Sequence, residues 1–137
     1  MQEIKKKLQE KHHRLTKSRI ELIEFFVKHE NQLFTIEEII NELSIDNNVN
    51  IATVYNNIST LLDSNIINEL VYSNKKYYEY STNNHGHFFC NSCHNVFNVD
   101  IKGLNCLHYE IKQKYGANVL KNIIEFKGVC CECQKKL

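Results

Sequence analysis

Two kinds of metal chemistry are written into the second half of this chain. Cys90-x-x-Cys93 and Cys130-x-x-Cys133 are two CxxC knuckles separated by 36 residues. Four thiolates suit tetrahedral Zn²⁺, and pairing a local knuckle with a distant one ties the start of a small domain to its end. A [2Fe–2S] cluster, disulfides or a redox CxxC are the alternatives. Two further cysteines, Cys106 and Cys131, are read as bystanders. Cys106 has the character of a small core residue on a helix, and Cys131, adjacent to Cys130, should point the wrong way. His85-x-His87 is a separate donor set. On a strand, residues i and i+2 point to the same side, so both imidazoles can reach one ion, while Cys90 has the opposite parity. The stretch "HGHFFCNSCHNVF" therefore feeds two metals on two faces: a closed structural site and an open, exchangeable one. Imidazole plus carboxylate suits Fe²⁺, Mn²⁺ or Zn²⁺, and Glu79, Asn98 and Asp100 are nearby candidates for the missing ligands. A surface pair of histidines is the plainer alternative.

A third chemistry is suggested nearer the N-terminus. Thr53, Asn56, Asn57 and Thr60 share one side of a helix expected over residues 51–63, with Tyr55 at its border. A merely solvated helix carries Lys or Glu there. Asn can bond adenine edges in a major groove, and Thr can meet a thymine methyl. The charge distribution is compatible with this. The net charge is +1, but residues 1–19 carry an excess of +5, including Lys17 and Arg19, and residues 20–82 carry −7. A basic cluster of this kind can touch phosphate, or it can be an ordinary solvated helix face.

These residues need elements to position them. The 137 residues, 42% hydrophobic, allow one ordinary domain or two small ones. Small domains often need a staple such as a metal. "STNN" at residues 81–84 is the clearest break, with every cysteine after it, so domains 1–82 and 83–137 are expected. The first half reads as a short charged helix over residues 3–12, then a helix capped by Thr16, then a capping box "TIEE" from Thr35, a polar turn "SIDNNVN", and the helix 51–63. Ile51, Val54, Ile58, Leu61 and Leu62 are its expected buried face. A hairpin around Ser73-Asn74-Lys75 follows. Three helices and a hairpin make a winged helix-turn-helix. The second half alternates: "HFFC" and "NVFNV" as strands, "GLNCLHYEIKQKYG" as a helix ending at Gly116, and "NVLKNIIEF" as another strand. The fold class expected is α+β, a winged helix followed by a small α/β domain with a structural zinc. There is no long apolar run and no signal-like h-region in "MQEIKKKLQEKHHR", so no membrane partner and a cytoplasmic location are expected. In that compartment structural disulfides are rare.

In the order "RLTKSRIELIEFF", "IATVYNNISTLL", "YYEY", "HGHFFCNSC" and "GVCCEC", the sequence resembles the ferric-uptake-regulator (Fur) superfamily over nearly its whole length. The resemblance implies a homodimeric, metal-activated DNA-binding repressor with a C-terminal dimerisation domain, a structural Cys₄ zinc and a regulatory metal at the hinge. It places Tyr55, Asn56 and Asn57 on the DNA-reading helix and Arg19 near the DNA backbone. "ATVYNN" looks most like the peroxide-responsive (PerR) branch, in which bound Fe²⁺ reacts with peroxide and a ligand histidine is oxidised. Departures from the family pattern fall on the regulatory site. Leu33 stands where a histidine usually completes it, Glu79 where the peroxide branch has aspartate, and Asn98 where that branch has a carboxylate. Asp100 lies two residues further on, and "VLKNIIEFKG" lacks the histidine of a secondary site. His12 and His13 are candidates to replace the missing N-terminal ligand. The function expected is thus a repressor of peroxide-stress or metal-homeostasis genes acting on double-stranded DNA, with an AT-rich palindrome as the expected operator. An iron or zinc uptake regulator is the second reading. A thiol-redox protein or small metalloenzyme is the remote one, because no nucleophile–base pair or thioredoxin-like setting is evident.

Overall fold

The computed structural model describes residues 1–45, 48–80, 85–120 and 122–136. Part of the polar turn "SIDNNVN" and the break at residues 81–84 lie outside the described residues. The chain forms two compact units, Met1–Thr82 and Asn83–Leu137.

The first unit is built on α1 (Gln2–Glu10), α2 (Lys17–Lys28), α3 (Ile36–Leu43), α4 (Ile51–Asp63), β1 (Asn68–Tyr72) and β2 (Lys75–Glu79). Each of the three central helices starts where a side chain can accept from an otherwise orphaned backbone N–H. Thr16 accepts from Arg19 N–H, Asn50 from Thr53 N–H, and Thr35 with Glu38 forms a full capping box. Leu22, Ile23 and Phe26 of α2 meet Ile39 of α3 and Val54, Ile58 and Leu61 of α4 in one core, which also takes Ile4 and Leu8 from α1. Burying each such side chain contributes about 1.5–3 kcal/mol. β1 and β2 pair antiparallel across Ser73 and Asn74, whose φ values of 52° and 63° match a two-residue hairpin turn. Phe34 exchanges two backbone hydrogen bonds with Tyr78, which ties the start of α3 to this hairpin.

The expected buried face of α4 needs two corrections. Ile51, in the first turn of the helix, is 57% exposed, and Asn57 and Thr60, expected on the opposite face, are buried at 5% and 8%. Polar type was a poor guide there: both side chains have hydrogen-bond partners on α2 and so can be buried at little cost.

The second unit contains β3 (His85–Cys90), β4 (Val96–Asp100), α5 (Leu104–Tyr115), β5 (Glu125–Gly128) and α6 (Cys131–Gln134). β3 lies between an antiparallel β4 and a parallel β5. Gly116 ends α5 at φ 66°, in the left-handed region. The last strand is shorter and later than "NVLKNIIEF" suggests. Its pairing with β3 begins only at His87↔Glu125 and ends at Cys90↔Gly128. Cys106 is exposed rather than a core residue, and so is Leu107 of the expected apolar stripe of α5. The whole is the α+β arrangement expected, with a largely helical first half and a β-sheet half that holds a four-cysteine cluster.

Candidate metal centres and nucleic-acid interface

Cys90, Cys93, Cys130 and Cys133 come together with their sulfurs all within 4.8 Å of one another. β3 delivers Cys90 at its last position. The turn then bends back, with His94 at φ 63° and its N–H bonded to Cys90 carbonyl, so that Cys93 faces Cys90. β5 runs beside β3 and ends at Gly128, which brings Cys130 within 3.8 Å of Cys93, sulfur to sulfur. Gly128 fits there because a Cβ would stand 3.2 Å from the Phe88 ring. Cys130 and Cys93 N–H groups both donate to Cys90 Sγ, at 3.3 and 3.5 Å. These two bonds, that from Cys130 first, bring the Cys90 thiol down to about 5, and hydrogen bonding to the thiol of Cys130, followed by burial, raises Cys133 to about 12. Four sulfurs so placed, one of them already favoured as thiolate, suit a tetrahedral thiophilic ion. No disulfide is formed, and Cys131 is exposed and outside the cluster.

His85, His87 and Phe89 alternate along β3 on the face opposite Cys90. The two imidazole rings are 4.8 Å apart, centroid to centroid. His87 is buried at 5% exposure and His85 is half-buried. The sheet register sets their neighbours. Asp100 stands directly opposite His85, and Asn98 opposite His87. From the other flank Glu125 stands beside His87. Cross-strand neighbours share a face, so β4 and β5 each bring a carboxylate to the imidazole face. Asn98 and Asp100 were expected near the histidines. Glu125 was not, because nothing local in the sequence announces a parallel pairing between segments so far apart. Glu79, at the end of β2 in the first unit, is buried at 4% exposure.

His12 and His13 have other surroundings. His12 is exposed at φ 59°, and His13 Nε2 lies 2.8 Å from Asp63 Oδ2 at the end of α4. The hydrogen bond with His13 holds the Asp63 carboxyl below its usual 3.8. Leu33, half-buried, offers only aliphatic carbon.

On α4, Tyr55 and Asn56 are exposed and Thr53 is half-buried. Ala52 and Ser59 complete the outward surface, which carries no charge from Ile51 to Ser59. Neither was singled out from the sequence, although both follow the same helical spacing as Tyr55 and Asn56. Asn57 faces the other way. Its Oδ1 accepts from Arg19 Nε at 3.1 Å, and its Nδ2 donates to Ser18 Oγ. Arg19 is half-buried between α2 and α4, and Lys17 is exposed two residues before it at the start of α2, whose first turn has no acidic residue.

Comparison with known proteins gives concordant results. Residues 10–127 match the Ferric uptake regulator family. The peroxide-responsive repressor PerR of Staphylococcus aureus (strain USA300) is 33% identical over 104 residues, covering 74% of this chain and 70% of that protein. The ferric uptake regulator of Pseudomonas aeruginosa, solved with manganese, superposes with a TM-score of 0.80 at 15% identity over 93% of this chain and 97% of that one. A PerR from Streptococcus pyogenes, solved in a study of peroxide sensing and gene regulation, gives a TM-score of 0.51 at 26% identity over 96% and 91%.

Proposed function

Because the chain belongs to the Ferric uptake regulator family, we propose that it is a peroxide-responsive repressor whose hold on operator DNA is set by an exchangeable metal. At the coarser level it is a metal-dependent, DNA-binding transcriptional regulator, not an enzyme. Regulators of this family bind operator DNA and dimerise. The observation that carries the finer reading is the coexistence of two chemically distinct donor sets. One is the four-thiolate cluster; the other is the imidazole pair His85 and His87, with Asp100 and Glu125 beside them across the sheet.

The cysteine cluster holds zinc as a closed structural site, for four sulfurs leave no position for an exchanging ligand. Glu79, His85 and His87 hold the regulatory ion, and their mixed oxygen–nitrogen chemistry fits Fe²⁺ or Mn²⁺, with Zn²⁺ as competitor. Asp100 and Asn98 are next in line on the same sheet face. Asp100 or Glu125 supplies either a further ligand or the carboxylate that orients an imidazole through its second nitrogen. His13 serves the first unit instead, through Asp63. Ferrous iron held there would promote cleavage of the peroxide O–O bond; the two electrons of the net reduction would come from His85 or His87, whose ring would gain one oxygen atom while the other leaves as water. Glu79 belongs to the DNA-binding half (residues 1–82) and the histidines to the dimerisation half (residues 83–137). Metal shared by them therefore favours one arrangement of reading helices, and its loss releases DNA. Tyr55, Asn56 and Thr53 meet base edges in the major groove, most simply of an AT-rich palindrome, and Arg19 and Lys17 meet phosphates.

The test compares Fe²⁺- and Mn²⁺-loaded protein on DNA after addition of hydrogen peroxide. Only the iron form should release DNA, with one oxygen atom gained on the peptide containing His85 and His87. Retention of DNA by both forms, with unmodified histidines, points instead to a metal-uptake regulator.

A further inference from the structure

Arg19 has an unusual set of partners for a half-buried arginine. Its Nε donates to Asn57 Oδ1 at 3.1 Å, one terminal nitrogen to Thr60 Oγ1 at 3.3 Å, and the other to Arg14 carbonyl at 2.6 Å. All three acceptors are neutral. Among the described residues no carboxylate lies within ion-pair distance of Arg19. An arginine kept for structure alone is more often neutralised by an acid, since an unpaired charge is costly to desolvate. Here the fork is oriented while its whole charge is retained. Of the five N–H groups of a guanidinium, three are used. One remains on each terminal nitrogen, enough to donate to two oxygens of a phosphate.

The cradle is built with its own polarity fixed. Asn57 Nδ2 donates to Ser18 Oγ at 3.1 Å, which leaves Oδ1 to face Arg19. Thr60 Oγ1 donates to Asn56 carbonyl at 3.0 Å, which leaves a lone pair for the guanidinium. Both side chains are buried. They reside on α4, the same helix that presents Tyr55 and Asn56 outward, whereas Arg19 resides on α2 beside Thr16 and Lys17. The first turn of α2 contributes unneutralised N–H dipoles to the same region.

We propose that Asn57 and Thr60 are positioning residues: they hold Arg19 as a pre-oriented clamp on the DNA backbone, so that the helix that reads bases also sets the register of the phosphate contact. This rests on the reading of the protein as a DNA-binding regulator. It separates the two adjacent asparagines by role, with Asn56 reading sequence and Asn57 placing a cation.

The experiment measures binding of metal-loaded full chain to two duplexes across a salt series. One duplex is of unselected sequence; the other is enriched by the wild-type protein from a random pool. Thr60→Val keeps the side-chain shape and loses the hydroxyl, and Thr60→Ser keeps the hydroxyl. Thr60→Val and Asn57→Leu should weaken both duplexes by a similar factor, roughly three- to tenfold, and lower the log–log salt slope by about 0.9, the signature of one lost phosphate contact. Thr60→Ser should restore both readouts. In an Arg19→Ala background, Asn57→Leu should change nothing further. Loss confined to the enriched duplex with the slope unchanged would make Asn57 a base reader and overturn the proposal. A lowered Tm with affinity and slope intact would make the cradle a mere strut and overturn it equally. If Arg19→Ala leaves affinity and slope unchanged while the wild type still binds, the clamp fails and the regulator reading stands. If the wild type binds neither duplex in any metal state, both fall.

Discussion

Replacing Cys93 or Cys130 by serine removes one thiolate of four from a cluster that joins β3 to the segment after β5. The metal should be lost, and with it folding free energy on the order of 10 kcal/mol. Zinc content and oligomeric mass check this; a serine variant with full zinc and dimer mass would contradict it. The imidazole face makes a different prediction. His85→Ala should abolish binding of the regulatory ion, while the His12→Ala/His13→Ala double variant should keep wild-type metal affinity, because His13 is engaged by Asp63. A double variant as defective as His85→Ala would place a ligand on the N-terminal segment. The Asp63 contact has its own pH signature. Its folded carboxyl is depressed below 3.8, so whatever stability it contributes is present above that pH and lost as pH falls through the depressed value. NMR titration of Asp63 should show the low value in the wild type and its return toward 3.8 in His13→Ala.

At the level of elements, Gly86 controls how closely β3 and its neighbours approach. A Cβ there would stand 2.9 Å from Ile124 carbonyl oxygen and 3.2 Å from Ile101 Cδ1. The first of these is backbone and cannot swing aside. Gly86→Ala should therefore spread β3 from β5, at a cost of about 1–3 kcal/mol, and weaken both metal sites together. A lowered Tm with reduced zinc retention is the expected result, and an unchanged one would mean that the strands can part at little cost. Elements with local signals were legible in the sequence. The helix 51–63 was, because apolar spacing runs through it. So was the opposition of His85 and His87 to Cys90, which follows from strand parity alone. The neighbours supplied by long-range pairing were not. Glu125 reaches His87 only through a parallel register, and Asn57 turns inward only because Arg19 on another helix receives it. A helical wheel shows polarity; it does not show which polar residue has found a partner.

At the scale of the whole molecule, the second unit leaves a good deal of apolar surface uncovered: Leu107, Tyr109 and Tyr115 on α5, with Leu120, Ile123 and Phe126 before and within β5. Regulators of this family dimerise, and these side chains are the surface that a second copy should bury. Leu107→Asp with Ile123→Asp should give a monomer by light scattering that still binds zinc; a double variant that stays dimeric would move the interface elsewhere. The two knuckles also set a timetable. Cys90 and Cys93 leave the ribosome well before Cys130 and Cys133, and at about 5–20 residues per second the delay is roughly two to eight seconds. Throughout that interval a new chain displays half a binding site, two neighbouring thiols that can capture zinc weakly or be oxidised to each other. The first unit, whose core draws only on residues before that point, has no such wait. The yield of folded protein should thus depend partly on translation: it should fall when an oxidant reaches the early thiol pair before a thiophilic ion does.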